Sequence, residues 1–194
     1  MRLGMIAISG VLLIIHGCGS SKHVIYPACS IEPVPYNAVT IDNQMKRKYL
    51  AAVNKARSVT RKCGNRIYVA TEPLRWNESL YRAAYEHSYD MAKCAHFSHR
   101  GSGMESDWTG KHQSRGSSRF VERIENNGYT RHLSVAENIA YGMNDPDEVM
   151  QQWLASEGHC DNIMNPSFTE FGMARVKDAS GRYYWTQTFG SQYP

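Results

Sequence analysis

Apolar residues recur with a helical period in four places along the chain and alternate with a two-residue period in two more. In residues 42–62, Met45, Tyr49, Leu50, Val53 and Ala56 fall on one helical face, and Gly64 follows as an expected stop. Residues 77–95 repeat the pattern with Leu80, Ala84, His87 and Met91. A shorter helix is predicted over residues 118–127, where Phe120 and Ile124 stand four apart ahead of Gly128. The fourth helix starts at Asp145-Pro146-Asp147-Glu148, with an N-cap aspartate, a proline in the first helical position and a glutamate three residues after the cap. It buries Val149 and Trp153 beside Met150 and Leu154, and Gly158 is expected to end it, so that His159 projects from a fixed helix exit. Residues 171–176 and 183–189 alternate as two strands joined by a turn at Asp178-Ala179-Ser180-Gly181. Core packing accounts for much of the aromatic run Tyr183-Tyr184-Trp185.

The amino terminus has another character. Arg2 precedes an apolar run over residues 3–15 that is too short to span a bilayer and reads as a signal peptide. The run ends in Ile15-His16-Gly17-Cys18, which resembles a lipobox whose small residue permits cleavage ahead of an acylated Cys18; His16 departs from the usual small or apolar residue. Gly19 in place of an aspartate favours the outer membrane in a Gram-negative cell, and plain secretion is the alternative. Pro27, Pro33 and Pro35 then punctuate a stretch without periodicity, as in an extended tether. The expected organisation is a signal peptide over residues 1–17, a tether over 18–41 and one folded domain over 42–194. A net charge of +4, scattered along the chain, makes no case for nucleic acid but allows weak attraction to anionic headgroups or wall polymers.

Five blocks complete the picture: Leu74-Arg75-Trp76-Asn77, Phe97-Ser98-His99, Ala136-Glu137-Asn138 running into Ile139-Ala140-Tyr141-Gly142, Gly158-His159-Cys160, and residues 183–190. With these in order, the chain resembles the bacterial branch of the CAP superfamily, the SCP-like extracellular domain of cysteine-rich secretory, antigen 5 and pathogenesis-related 1 proteins. The resemblance runs from about Met45 to Gln192. It implies an α+β fold, an α-β-α sandwich around a central antiparallel sheet, with a cavity lined by His99, Glu137 and His159. These three suit zinc or another divalent metal with an open position for water or substrate, or alternatively proton transfer. The resemblance also favours a disulfide between Cys63 and Cys160. Cys29 and Cys94 remain as a second pair, although Cys94, on the apolar side of its helix, is also read as an ordinary buried thiol.

Each candidate has a plainer reading. His87 fits a core histidine bonded to backbone; Glu137 fits a carboxylate that caps loop backbone; His96 and His132 fit solvated loop residues. Ser98 lacks a nucleophile elbow, and in a strand it would point to the face opposite His99, so it does not read as a hydrolase serine. Many eukaryotic relatives place a second acid where Ser156 stands, and neighbouring Glu157 is a candidate for the cavity rim. The polar, glycine-rich residues 101–118 are expected to border the cavity, with Trp108 as a stacking side chain, or else to be a surface loop. Three functions follow from the resemblance: a cell-envelope domain binding a small hydrophobic or envelope-derived ligand, a metal-dependent hydrolase of peptide or wall material in which His99, Glu137 and His159 are catalytic, and a non-catalytic adhesion or scaffold module. Whether the chain is an enzyme stays open at the level of sequence.

Overall fold

The carboxylate of Asp42 accepts from the backbone N–H groups of Gln44 and Met45 at 2.8 and 3.1 Å, and helix α1 (Asn43–Arg57) starts there. The computed structural model describes residues 39–113 and 116–193; the expected signal peptide, Cys18, Cys29 and most of the expected tether lie outside them. Helix α1 ends at Arg57 and not at residue 62, because Lys62 belongs to a hairpin of β1 (Arg61–Cys63) and β2 (Arg66–Tyr68). Gly64, expected as a helix stop, turns that hairpin with φ 56°.

Helix α2 (Glu78–Cys94) follows the sequence closely. Asn77 caps it through Ser79 and Leu80, and Ala95 ends it in the left-handed region at φ 48°. Beneath it lies a sheet of β3 (Arg75–Trp76), β4 (His132–Tyr141), β5 (Glu170–Lys177) and β6 (Tyr183–Gln192), in the order β3-β5-β6-β4. The β5–β6 and β6–β4 pairs are antiparallel, but β3 runs parallel to β5, so the sheet is mixed and not purely antiparallel as expected. Strand β3 is a brief contact made on the way into α2: Arg75 N–H donates to the Thr169 carbonyl and Asn77 N–H to that of Phe171, both at 2.9 Å.

Strand alternation divides the core into two layers. Trp185 and Phe189 of β6, with Phe171 and Met173 of β5, face α1, α5 (Pro146–Leu154) and α6 (Glu157–Met164). Thr186 and Thr188 face α2, where they bond to Ser88 Oγ and the Leu80 carbonyl at 2.9 Å. Helices thus cover both faces of the sheet, and the α-β-α sandwich stands. Two short helices, α3 (Trp108–His112) and α4 (Phe120–Asn126), follow α2 in the chain.

The fourth predicted helix is two helices. Asp145 caps α5 as expected, but α5 ends at Leu154, Ser156 takes the next N-cap position, and Cys160 N–H donates to the Ser156 carbonyl at 2.8 Å. Gly158 therefore sits in the first turn of α6, and His159 with it, on a helix start and not a helix exit. The Cys63–Cys160 disulfide, with Cα atoms 5.5 Å apart, joins the hairpin to α6. Buried Arg57 closes the far end of α6 by donating to the carbonyls of Ile163 and Asn165 at 2.7 and 3.0 Å.

Helix α2 approaches the sheet most closely at Gly172, where an added Cβ would run into the backbone of Leu80 and Tyr81. Backbone cannot swing aside like a side-chain end. Gly172→Ala is expected to cost about 2–3 kcal/mol by forcing helix and sheet apart, read as a lowered midpoint in urea unfolding; an unchanged midpoint would remove this packing argument.

Candidate functional site

His99 comes from the loop after α2, Glu137 from β4 and His159 from α6, and the three have different surroundings. His99 and His159 share a cleft of about 480 Å³ whose remaining lining is Phe97, Ser98, Arg100 and Ile139. Glu137 lies beneath the cleft with its side chain 1% exposed, whereas that of His99 is 52% exposed. Glu137 Oε1 stands 3.0 Å from His99 Nδ1, and Glu137 Oε2 accepts from Arg123 Nη2 at 2.8 Å. A carboxylate on Nδ1 keeps a proton there and fixes the ring, so that Nε2 is the nitrogen directed away from Glu137.

Strand β4 explains how Ala136-Glu137-Asn138 serves both layers, and it also corrects the loop reading of Glu137 and His132. Successive side chains point to opposite faces. Glu137 turns toward α2 and α4, where it meets His99, Arg123 and His87. Asn138 turns toward α6, where its Nδ2 donates to the His159 carbonyl and to Gln187 Oε1, each at 3.1 Å, and its Oδ1 accepts from Asn162 at 2.8 Å. His132 pairs with Glu125 at 3.0 Å.

Arg123 is the residue that the sequence reading missed. It is buried, and besides Glu137 it donates to the His99 carbonyl at 3.0 Å and to the Ser118 carbonyl and hydroxyl at 3.2 and 2.9 Å. One signal was present: Phe120, Arg123, Ile124 and Asn127 follow the 3, 4, 7 spacing of a single helical face, so the buried stripe includes the cation.

His87 is the core histidine expected, its Nε2 donating to the Ser98 carbonyl at 2.7 Å, and it also stands 3.8 Å from Glu137 Oε1. Burial, reinforced by the Arg123 cation, lowers its pKa to about 3 and keeps the ring neutral. Burial would raise the pKa of Glu137, but the adjacent Arg123 guanidinium and the hydrogen bonds outweigh it and hold the carboxyl at about 2. The His159 pKa is lowered, by burial first and by His99 second.

Residues 101–118 are built around carboxylates. Asp107 accepts from the N–H groups of Gly103, Gly110 and Ser118 at 2.9–3.0 Å. Asp90 accepts from the hydroxyls of Ser102 and Ser106 at 2.6 Å, and Glu86 accepts from Thr109 N–H and Asn127 at 2.7 Å. Trp108 stacks on His112 with ring centroids 3.9 Å apart and is not among the cleft-lining residues. Glu157 is not among them either: its side chain lies against Gly64 in the hairpin turn. Ser98 Oγ accepts from Arg100 N–H at 3.0 Å, within a bend and not a strand.

For a metal, the donor set is incomplete. Among the described residues no three His, Cys, Asp or Glu side chains are grouped to hold an ion. Both Glu137 oxygens are engaged, which leaves two imidazoles, where an open zinc site takes three protein ligands.

The model of the cysteine-rich secretory protein family, CAP, matches residues 50–189. The uncharacterized protein YkwD of Bacillus subtilis is 32% identical over 118 residues, which are 61% of this chain and 39% of YkwD, so the chain spans well under two thirds of that relative. Among solved structures, an outer surface protein of Borrelia burgdorferi shares 17% identity with a TM-score of 0.56, covering 80% of this chain and 97% of that one. An extracellular SCP-domain protein of Bacillus anthracis shares 26% identity with a TM-score of 0.48, covering 63% and 35%. NaASP2, crystallised with Zn²⁺, shares 14% identity with a TM-score of 0.48, covering 79% and 82%. The Borrelia protein is an outer-surface protein by name and the Bacillus anthracis protein an extracellular one. With the family model spanning most of the chain and the sandwich in place, the chain belongs to the cysteine-rich secretory protein family.

Proposed function

We propose that this is an exported cell-envelope domain, held to a membrane by acylated Cys18, whose cleft binds a small envelope-derived amphiphile. Phe97 and Ile139 give the cleft an apolar wall, and His99, Arg100 and His159 give it a basic one. A volume of about 480 Å³ lies within the range of roughly 300–1,000 Å³ usual for small-molecule sites. An apolar chain ending in a carboxylate or phosphate matches both walls. The observation that carries this reading is the 3.0 Å contact between Glu137 and His99 Nδ1. It fixes the orientation of the ring at the cleft, as a recognition histidine requires, and Arg100 supplies the standing positive charge beside it.

The same contact weakens the hydrolase alternative. A carboxyl held at about pKa 2 is a poor general base near neutral pH, and its oxygens are committed to Arg123 and His99. Glu137 is a positioning residue for His99 on this reading.

Calorimetric titration of decanoate into the mature chain tests it, beside Arg100→Ser and His99→Ala/His159→Ala. Saturable one-site binding is expected, about 10-fold weaker or more in each variant, since a charge-assisted hydrogen bond contributes about 1.5–3 kcal/mol. No saturable binding, or equal affinities, would sink the amphiphile reading. Zinc titrated in parallel is expected to bind only weakly, and a tight site lost in the double histidine variant would restore the metal.

Acid should loosen the same region. His87 binds its proton less readily in the folded than in the unfolded chain, so its contribution is complete above about pH 6.5 and is lost as pH falls toward 3. Glu137 acts in the same direction, complete above about 4.5 and lost toward 2. These two groups therefore lower the thermal midpoint as pH falls from 7, against Glu86 and Asp90, whose pKa values are raised by burial and which act the other way. Glu137→Gln should lower it at pH 7, because stranding Arg123 costs about 3–5 kcal/mol, and should flatten the dependence below pH 4.5. Parallel profiles of wild type and Glu137→Gln below pH 4.5 would contradict the electrostatic account.

A further inference from the structure

The positive charge, expected to be scattered along the chain, is concentrated in the first elements of the fold. Between Asp42 and Glu72 the chain has eight Lys or Arg residues and no acid, whereas the remainder holds fewer bases than acids. Part of this charge is used within the fold: Arg57 is buried, Lys46 and Lys48 pair with Glu78 and Asp145 at 2.5 and 2.6 Å, and Arg66 pairs with Asp161. Lys55, in the last turn of α1, and Arg61 and Lys62, in β1, make no ion pair among the described residues.

The same segment carries exposed apolar side chains. Ile67 and Val69 are 72% and 73% exposed, more than any other large apolar residue among the described residues, and Val59 is 49% exposed. Strand pairing explains the placement. Arg61 stands opposite Tyr68 and Lys62 opposite Ile67. Tyr68 packs on the core, so Ile67 and Val69, one residue to either side of it, turn outward together with Lys62. Val59 leads into β1 at the open end of the hairpin, which Val69 leaves. Beside them a groove of about 400 Å³ extends to Met164 and Pro166 at the end of α6. Single exposed apolar residues are ordinary, but a group of them on one short hairpin marks an interaction surface.

We propose that the outer face of the β1–β2 hairpin docks the domain on an anionic phospholipid bilayer, with Val59, Ile67 and Val69 entering the headgroup layer and Lys55 and Lys62 meeting lipid phosphates. Two features select a bilayer. The apolar centre needs a medium that takes it out of water, which a soluble polyanion does not supply. Lysine is depleted from protein–protein interfaces, whereas each Lys or Arg near an anionic membrane surface adds to the attraction. Acids near the hairpin lie mainly on its α6 side, where Asp161 holds Arg66 and the Glu157 side chain lies against Gly64; Glu72 borders the groove beyond Val69.

The hairpin is a rigid foot. The Cys63–Cys160 disulfide and the Arg66–Asp161 pair fasten it to α6, whose first turn holds His159. Docking therefore orders little new chain and holds one wall of the cleft at a fixed height over the lipid. Where Cys18 is acylated, the domain is already confined near a bilayer, so even weak docking is populated; the docking itself does not depend on that anchor.

The test is flotation of the mature chain carrying Cys18→Ser, so that no acyl group contributes, with vesicles of equal parts phosphatidylglycerol and phosphatidylcholine. Binding is expected that falls with added salt and is about 10-fold weaker or more on phosphatidylcholine alone. Ile67→Ser/Val69→Ser and Lys55→Gln/Lys62→Gln should each weaken it by about 10-fold or more, with unchanged thermal midpoints because all four side chains are exposed. Polyphosphate is the second probe, since it offers phosphates without an apolar medium. No vesicle binding, vesicle binding that survives Ile67→Ser/Val69→Ser, or equally tight binding to polyphosphate would overturn the proposal. So would a dimer in sedimentation, in place of vesicle binding, that dissociates in Ile67→Ser/Val69→Ser. Decanoate affinity in that variant is expected to match wild type, so failure of the docking and failure of the amphiphile reading are read separately.

Discussion

The Arg123–Glu137 ion pair, with each side chain 1% exposed, is the interaction on which the site depends. Two charges taken out of water cost several kcal/mol each unless their remaining hydrogen-bonding groups are filled. Here most of them are. Arg123 uses its two Nη groups on Glu137, the His99 carbonyl and Ser118 and leaves only the buried Nε without a partner, so one guanidinium joins the loop carrying His99, the end of the 101–118 segment and strand β4. Because the carboxylate is compensated by Arg123, it stays ionised under His99 and orients a ring that is itself half exposed. A salt bridge of this kind is weak evidence of net stability, but removing either partner strands the other. The pair therefore specifies one arrangement of the cleft floor more than it strengthens the fold.

A second constraint is the use of hydrogen bonds in place of apolar packing to hold the 101–118 segment against α2. Glu86, Asp90 and Asp107 are buried and receive backbone N–H groups or hydroxyls from a segment with almost no hydrophobic residues. Burial raises the pKa values of Glu86 and Asp90 despite those bonds. The three carboxylates do for the 101–118 segment what a hydrophobic stripe does for a helix, and Asp107 hands the segment on to Ser118 and so to Arg123.

This explains which parts of the fold were legible in the sequence. Helix α2, the β5–β6 pair and the start of α5 combine a clean period with cap or turn chemistry, and they appear where expected. Strand β3, at two residues, is too short to carry any period, so the parallel edge of the sheet left no trace. The end of α5 misled because Gly158 resembles a helix stop, while the true break depends on Ser156 opening a new helix. In the site, the convergence of His99 and His159 came from the family resemblance, since only tertiary structure joins a loop after α2 to a helix 60 residues later. Glu137 was identified as a site residue, but its burial and its bond to Arg123 are properties of the packed layers and leave no trace in the sequence. Trp108 and Glu157 were placed at the rim by neighbourhood in sequence, which a segment folded on buried aspartates and a helix-start side chain turned toward Gly64 do not respect.

The break between α5 and α6 also bears on the chemistry of the cleft. Had one helix run through Gly158, His159 would follow a helix C-terminus, whose unpaired carbonyls carry partial negative charge. In the observed arrangement His159 lies in the first turn of α6, where unpaired N–H groups give the helix end a partial positive charge. Asn138 fixes that turn through the His159 carbonyl, and the Cys63–Cys160 disulfide holds the adjoining residue. The cleft wall formed by α6 is thus electropositive from backbone as well as from the neighbouring Arg100. No carboxylate is among the cleft-lining side chains, and the acid beneath them, Glu137, is compensated from below by Arg123.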